Sequence, residues 1–185
     1  MPYDPFQVYQ PEADTFLLLG AALAEIRSGD RVLEIGTGTG RIAMAIAQSC
    51  DVVATDVNPH AALCAQRNGL KVVRSDLCAG IRGTFDLIIF NPPYLPTQLD
   101  ERIDDWLEFA LDGGITGREV ISRFALSVGS VLAPSGRILL LVSSLTGISE
   151  VRDLFEKRLF MVEILRQEIV EDEILYVLRI TRDDG

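Results

Sequence analysis

Apolar residues recur along the chain in two rhythms. Short apolar runs of strand length occur at RVLEIG (residues 31–36), DVVATD (51–56), KVVRSD (71–76), FDLIIF (85–90), RILLLVSS (137–144), MVEILRQEIV (161–170) and EILYVLRITR (173–182). Between them lie segments in which apolar positions return every three to four residues, the spacing of one face of a helix. These predict helices over residues 14–27, 41–50, 58–69, 118–134 and 148–159. Asp14 or Thr15 can cap the first, Pro59 suits the first turn of the third, and Gly69 suits its exit. Pro134-Ser135-Gly136 should stop the fourth. Residues 1–13 read as an arm or loop, and residues 96–117, with Gly113, Gly114 and Gly117, as a long loop of the kind that often carries function.

Strands alternating with helices argue for an α/β fold with a mainly parallel sheet covered on both faces. The last two strands are separated only by the acidic turn "EDE", so they should pair antiparallel; a parallel crossover needs a dozen or more residues. No repeat, linker or low-complexity tract interrupts the pattern, and residues 1–185 read as one domain.

Composition narrows the function. The formal net charge is −10 with no Lys/Arg cluster, which disfavours nucleic acid as the primary target and favours a small molecule or a basic protein. Cys50, Cys64 and Cys78 are widely separated and His60 is the single histidine, so no metal-ligand spacing exists and the cysteines read as small core residues of a cytoplasmic protein. No apolar run is long enough to span a bilayer, and the N-terminal residues lack signal-peptide character.

The chemistry concentrates at the carboxyl ends of the predicted strands. "VLEIGTGTG" puts Gly36, Gly38 and Gly40 at a strand-to-helix turn, where glycine allows tight turning and close ligand approach. By itself such a turn can be purely structural, and its G-x-G-x-G spacing differs from the dinucleotide fingerprint. Asp56 ends the second strand, placed to accept hydrogen bonds from ribose hydroxyls, and Asp76 ends the third, placed for an adenine amino group with Leu77 beside the ring. Glu34 is a carboxylate inside an apolar strand, costly unless a cation or donor such as a ligand ammonium meets it. The fourth strand runs into Asn91-Pro92-Pro93-Tyr94.

The order of elements together with "LEIGTGTG", "ATD", "SDL" and "NPPY" resembles the class I S-adenosylmethionine-dependent methyltransferases. The resemblance implies a Rossmann-like seven-stranded sheet of order 3-2-1-4-5-7-6 with strand 7 antiparallel, in agreement with the C-terminal hairpin. It implies S-adenosylmethionine as cofactor and S-adenosylhomocysteine as product. The motif [DNS]-P-P-[YF] is associated with amino methyltransferases. A planar NH2 is a poor nucleophile because its lone pair is conjugated. Two acceptors, the Asn91 side-chain oxygen and the Pro92 carbonyl, can hold its hydrogens, with Pro93 stiffening the turn and Tyr94 stacking on the planar group. Asn91 also counts among the residues expected at the cofactor.

"VYQPEADTFLLL", "NPPY" and "GGITGREVISRF" are similar to the short HemK-related branch of protein-glutamine N5-methyltransferases, which modifies the Gly-Gly-Gln motif of class 1 release factors of archaeal and eukaryotic type. Glu12-Ala13-Asp14 departs from the acid-acid pair usual before the Thr of this branch, while Asp14 and Thr15 match. By resemblance Thr15 approaches the cofactor. Asp100, Glu101, Asp104 and Asp105, near Trp106, read either as a solvated loop or as a surface for a basic release-factor loop. Members are often activated by a small zinc-ribbon protein on an edge strand, here "KVVRSDL", the zinc belonging to the partner. The chain shows neither the target-recognition domain of DNA methyltransferases nor the helical N-terminal domain of the bacterial release-factor enzymes. Two alternatives stay open: methylation of an adenine N6 in nucleic acid or of a protein lysine, and, in a different class, an NAD-binding or non-catalytic nucleotide-binding Rossmann module.

Overall fold

A seven-stranded sheet runs through the centre of the structure, a computed structural model that describes residues 3–98 and 105–183. Its strands are β1 (Arg31–Ile35), β2 (Asp51–Asp56), β3 (Val72–Arg74), β4 (Phe85–Phe90), β5 (Leu132–Ser143), β6 (Phe160–Val170) and β7 (Glu173–Arg182). The spatial order is β3-β2-β1-β4-β5-β7-β6. β7 runs antiparallel to both neighbours and the other pairings are parallel, as the short turn between the last two strands requires. The helices are α1 (Ala13–Glu25), α2 (Arg41–Ile46), α3 (Pro59–Arg67), α4 (Trp106–Phe109), α5 (Glu119–Ser127) and α6 (Ile148–Glu156). None is long and apolar enough to cross a membrane among the described residues.

The central strands are apolar in most of their positions because each face meets helices. Along β4, Ile88 and Phe90 join Phe124 of α5 and Phe155 of α6 in one core layer, while Leu87 and Ile89 join Leu18 of α1 and Ile46 of α2 in the other. β5 divides in the same way, Ile138, Leu140 and Val142 to one side and Leu139 and Leu141 to the other. Each such side chain contributes roughly 1.5–3 kcal/mol by leaving water. These two layers hold the carboxyl ends of β1, β2 and β4 in fixed register, and the site is built there.

Several boundaries differ from the expectations. Asp14 and Thr15 lie inside the first turn of α1, whose cap position is Glu12, because the Asp14 carboxylate is engaged by other donors. β3 stops at Arg74, so Asp76 belongs to the following turn; the Ser75 hydroxyl curls that turn by donating to the carbonyls of Leu77, at 3.2 Å, and Ala79, at 2.6 Å. α2 ends at Ile46 rather than at residue 50. Residues 131–134 are not helical: α5 ends at Ser127, a 3-10 turn follows, and β5 begins at Leu132, the Val131 carbonyl accepting from the Phe85 N–H at 2.9 Å. Pro134 is accommodated because the register shifts between Phe85 and Leu87 on the neighbouring strand, and a bulge needs no donor there. The expected loop 96–117 contains α4, capped by the Asp105 carboxylate on the Glu108 N–H at 2.7 Å. Asp100, Glu101 and Asp104 lie outside the described residues. Of the three cysteines only Cys78 is buried; Cys50, just before β2, and Cys64, inside α3, are partly exposed, so the all-core expectation fails for two of them.

The N-terminal arm is ordered by side chains from the start of α3. Asn58 donates to the Gln7 carbonyl at 2.6 Å, and His60 Nδ1 accepts from the Asp4 N–H at 3.0 Å. At the opposite end of the sheet a buried ion network ties α1 to the strands. Arg137 meets Asp30 at 2.7 Å and Glu25 at 3.4 Å and donates to the Asp86 carbonyl at 3.1 Å. Removing this buried cation leaves the Asp30 carboxylate without a cation, while Glu25 keeps Arg179 at 3.4 Å. Arg137→Met is expected to lower unfolding stability by about 3 kcal/mol, measured by urea denaturation.

Candidate active site

β1 delivers the chain into three successive left-handed glycines, Gly36 (φ 65°), Gly38 (φ 56°) and Gly40 (φ 83°). Gly40 caps α2 in the left-handed region, where any other residue would be strained, and a Cβ there would come within 2.5 Å of the Leu70 side chain. The turn is tied to β2: the Gly38 N–H donates to Asp56 Oδ2 at 2.9 Å and the Thr37 N–H to the Thr55 carbonyl at 2.9 Å. The other Asp56 oxygen accepts from the Asn58 N–H at 2.8 Å. Burial nevertheless raises the Asp56 pKa. Glu34 accepts from the Thr37 hydroxyl and, at 3.2 Å, from the Ala43 N–H. Its burial outweighs those bonds and pushes its carboxyl up to about 7.

Beside this turn, β4 ends at Phe90 and Asn91 follows it, because Pro92 and Pro93 have no N–H to continue a ladder. The Asn91 amide nitrogen donates to Asp14 Oδ2 at 2.9 Å. Its oxygen is buried and has no hydrogen-bond partner among the described residues. The same Asp14 oxygen accepts from the Tyr9 hydroxyl at 3.1 Å. Burial raises the Tyr9 and Tyr94 pKa values, so both phenols stay neutral at ordinary pH.

The stretch after the prolines is stiffened from outside. Leu95 bridges to Asp112, the Gly113 N–H donates to the Leu95 carbonyl at 3.0 Å, and Thr97 donates to the Gly114 carbonyl at 3.0 Å. Gly113 is required by this contact, since a Cβ would lie 2.8 Å from Gly117 and 2.9 Å from the Tyr94 backbone. Read from sequence alone, the Gly113–Gly117 segment is a patternless loop; its glycines were the available signal.

Together these walls enclose a cavity of about 380 Å³, within the usual range for small-molecule sites. Thr15, Glu34, Gly36, Gly38, Asp56, Asp76, Leu77, Asn91, Pro92, Pro93 and Tyr94 all line it. Gly40 does not line the cavity; its place is in the packing of α2. Asp76 is largely exposed and pairs with Arg123 at 2.5 Å at the cavity's side. Residues not foreseen there are Tyr9, Asp14, Ser75, Trp106, Phe109 and Arg123. Trp106 and Phe109 meet edge to face with centroids 6.0 Å apart, and the Trp106 N–H donates to the Gln7 side chain at 2.9 Å, which joins α4 to the arm.

Asn91 offers a buried, unpartnered acceptor beside a glycine turn with a strand-end acid, an arrangement fit to orient an amino group next to a bound nucleoside. The chain belongs to the methyltransferase small domain family, whose model matches residues 12–106. It is 41% identical over 184 residues to a Methanocaldococcus jannaschii protein provisionally assigned as a protein N5-glutamine methyltransferase, an alignment covering 95% of this chain and 92% of that one. It is 37% identical to methyltransferase HEMK2 of Mus musculus, over 70% of this chain and 68% of that protein. Its fold is similar to the solved E. cuniculi Mtq2–Trm112 complex, described as responsible for methylating the eRF1 termination factor, with a TM-score of 0.81, 31% identity, and coverage of 95% of this chain and 99% of that one. The cofactor of this class is S-adenosylmethionine. The cavity volume, the Asp56 carboxylate and the left-handed Gly36–Gly38 turn fit such a nucleoside.

Glu34 makes the ligand-free protein pH-sensitive. Between its ordinary value of 4.5 and about 7 the folded chain keeps a proton that the unfolded chain has released, so this group's contribution to stability is lost as pH rises through that window. Denaturation below and above the window should show the wild type losing more stability than Glu34→Gln.

Proposed function

We propose that this chain transfers a methyl group from S-adenosylmethionine to the side-chain amide nitrogen of a glutamine, that of the Gly-Gly-Gln motif of a class 1 translation release factor. The observation that carries this reading is the buried Asn91 oxygen left without a partner at the tip of β4. An acceptor in that state is costly until a donor reaches it, by about 1–3 kcal/mol, and an amide NH2 is such a donor. The relatives named as glutamine methyltransferases and the likeness to the Mtq2–Trm112 structure support the same acceptor.

The cofactor supplies an electrophilic methyl group on a sulfonium sulfur. The chain's own residues bind and orient. Asp56 receives the ribose hydroxyls on lone pairs not used by Gly38 and Asn58; Asp76 and Leu77 meet the adenine; Glu34, Gly36, Gly38 and Thr15 form the remaining cradle. Asn91 Oδ1 and the Pro92 carbonyl each take one hydrogen of the glutamine NH2. This grip aligns the nitrogen and returns electron density to it, and Pro93 keeps the two acceptors at a constant spacing. Tyr94 stacks on the amide plane. The new N–C bond forms as the S–C bond breaks, and the nitrogen releases one proton to water, leaving S-adenosylhomocysteine.

A translation factor as substrate places the reaction in the cytoplasm. The zinc-ribbon activator is assigned to the free edge of β3, which pairs only with β2 and carries the exposed Val73. The acidic stretch of sequence that ends at Asp105 is assigned to contact with a basic loop of the substrate.

Incubation with labelled cofactor and a release factor, followed by mass spectrometry, should put one methyl on the Gly-Gly-Gln glutamine. Label found instead on nucleic acid or on lysine rejects the reading. Asn91→Ala should cut turnover by about a hundredfold or more while cofactor affinity is largely kept. Asp56→Ala should weaken cofactor binding, as titrated by calorimetry with S-adenosylhomocysteine; NAD serves as the competing ligand and should not bind.

A further inference from the structure

We infer that Asp14 is a positioning residue that sets which end of the Asn91 amide faces the cavity, and so makes the site an acceptor for NH2 groups rather than a donor. The inference rests on the reading of Asn91 given above. Asp14 is buried, 5% exposed, and its carboxylate faces four hydrogens. Oδ1 accepts from the Thr15 N–H at 2.5 Å and the Thr15 hydroxyl at 3.2 Å. Oδ2 accepts from the Tyr9 hydroxyl at 3.1 Å and the Asn91 Nδ2 at 2.9 Å.

An asparagine amide can sit in two orientations related by a half-turn, and sterics hardly distinguish them. A carboxylate does distinguish them, because it only accepts. Nδ2 must turn toward Asp14, and Oδ1 is thereby left on the opposite side, buried and without a partner, on a residue that lines the cavity. The reverse orientation would set two oxygens against each other and leave the NH2 pointing at the substrate. The site would then present a donor to a donor. The proline pair cannot make this choice, since it constrains the backbone and leaves the amide free to turn. Thr15 holds Oδ1 and Tyr9 shares Oδ2 with Asn91, so Asp14 cannot rotate away without stranding both.

Exchanging one oxygen for NH2 reverses the logic. In Asp14→Asn, the remaining oxygen stays with the Thr15 N–H, and the new NH2 meets Asn91. Asn91 answers with its oxygen and turns its own NH2 into the cavity. In the pair Asp14→Asn with Asn91→Asp, residue 91 accepts from residue 14 on one oxygen and still offers the other to the substrate. Asn91→Asp alone sets two carboxylates face to face.

The test compares wild type, both single variants and the double variant for kcat and KM on a release factor, cofactor affinity and thermal melting. Asp14→Asn should lose about a hundredfold in kcat with KM, cofactor affinity and melting little changed. The double variant should recover at least about tenfold over either single one, a rescue that a purely structural role would not produce. Wild-type turnover in a folded Asp14→Asn, or a folded double variant no better than the singles, overturns the assignment. The wild type also reports without any variant or substrate: the Asn91 side-chain amide protons should exchange slowly by NMR, and fast exchange overturns the lock even if Asp14→Asn fails to fold. A wild type that leaves the release-factor glutamine unlabelled overturns the substrate instead, and the amide signals are indifferent to that outcome.

Discussion

The chain has to leave the sheet at Asn91. β4 lies between β1 and β5, with its apolar side chains committed to one of two helix-covered faces, and the prolines that follow carry no N–H for a further rung. The Asn91 side chain, one residue past that strand, therefore stands at the sheet's carboxyl edge, beside the glycine turn after β1. Everything the site does depends on how this amide is held there. Its partner comes from the first turn of α1, 77 positions earlier in the chain, and only packing of α1 across the sheet brings Asp14 within 2.9 Å.

The cavity wall collects acids in a chain already carrying a formal net charge of −10. They are tolerated because main-chain N–H groups meet them. Gly38 and Asn58 donate to Asp56, Ala43 to Glu34 and Thr15 to Asp14. This consumes only part of each carboxylate's accepting capacity, which leaves a surface suited to hydroxyls, amino groups and cations. The ends of the sheet divide the labour. At the carboxyl end these acids line the cavity, while at the amino end Arg137 pairs with Glu25 and Asp30, and Glu25 also pairs with Arg179.

Much of the architecture was legible from local pattern. Short apolar runs and period-3.6 spacing located all seven strands and the long helices, and the short acidic turn before β7 required the antiparallel pair. The glycine turn, Asp56 and the proline-stopped strand were found as features of the site because their residue types are rare in those positions unless a ligand or a sharp turn demands them. The misplaced boundaries share one cause. Residues 131–134 read as helix from a continuing apolar period, but pairing with Phe85 drew them into β5; Asp14 read as a cap, but long-range donors claimed its carboxylate.

The sequence by itself determined the class of fold and the identity of the groups at the strand ends, since these follow from short-range spacing of apolar, glycine and proline residues; the strand order was implied by the family resemblance. Only the tertiary structure decided the direction of the Asn91 amide, the role of Asp14 and Tyr9 behind it, and the clamp of Gly113 and Gly117 on Tyr94. Those are contacts between segments remote in the chain, and a hydrogen bond depends on angles and separations that no one-dimensional spacing encodes.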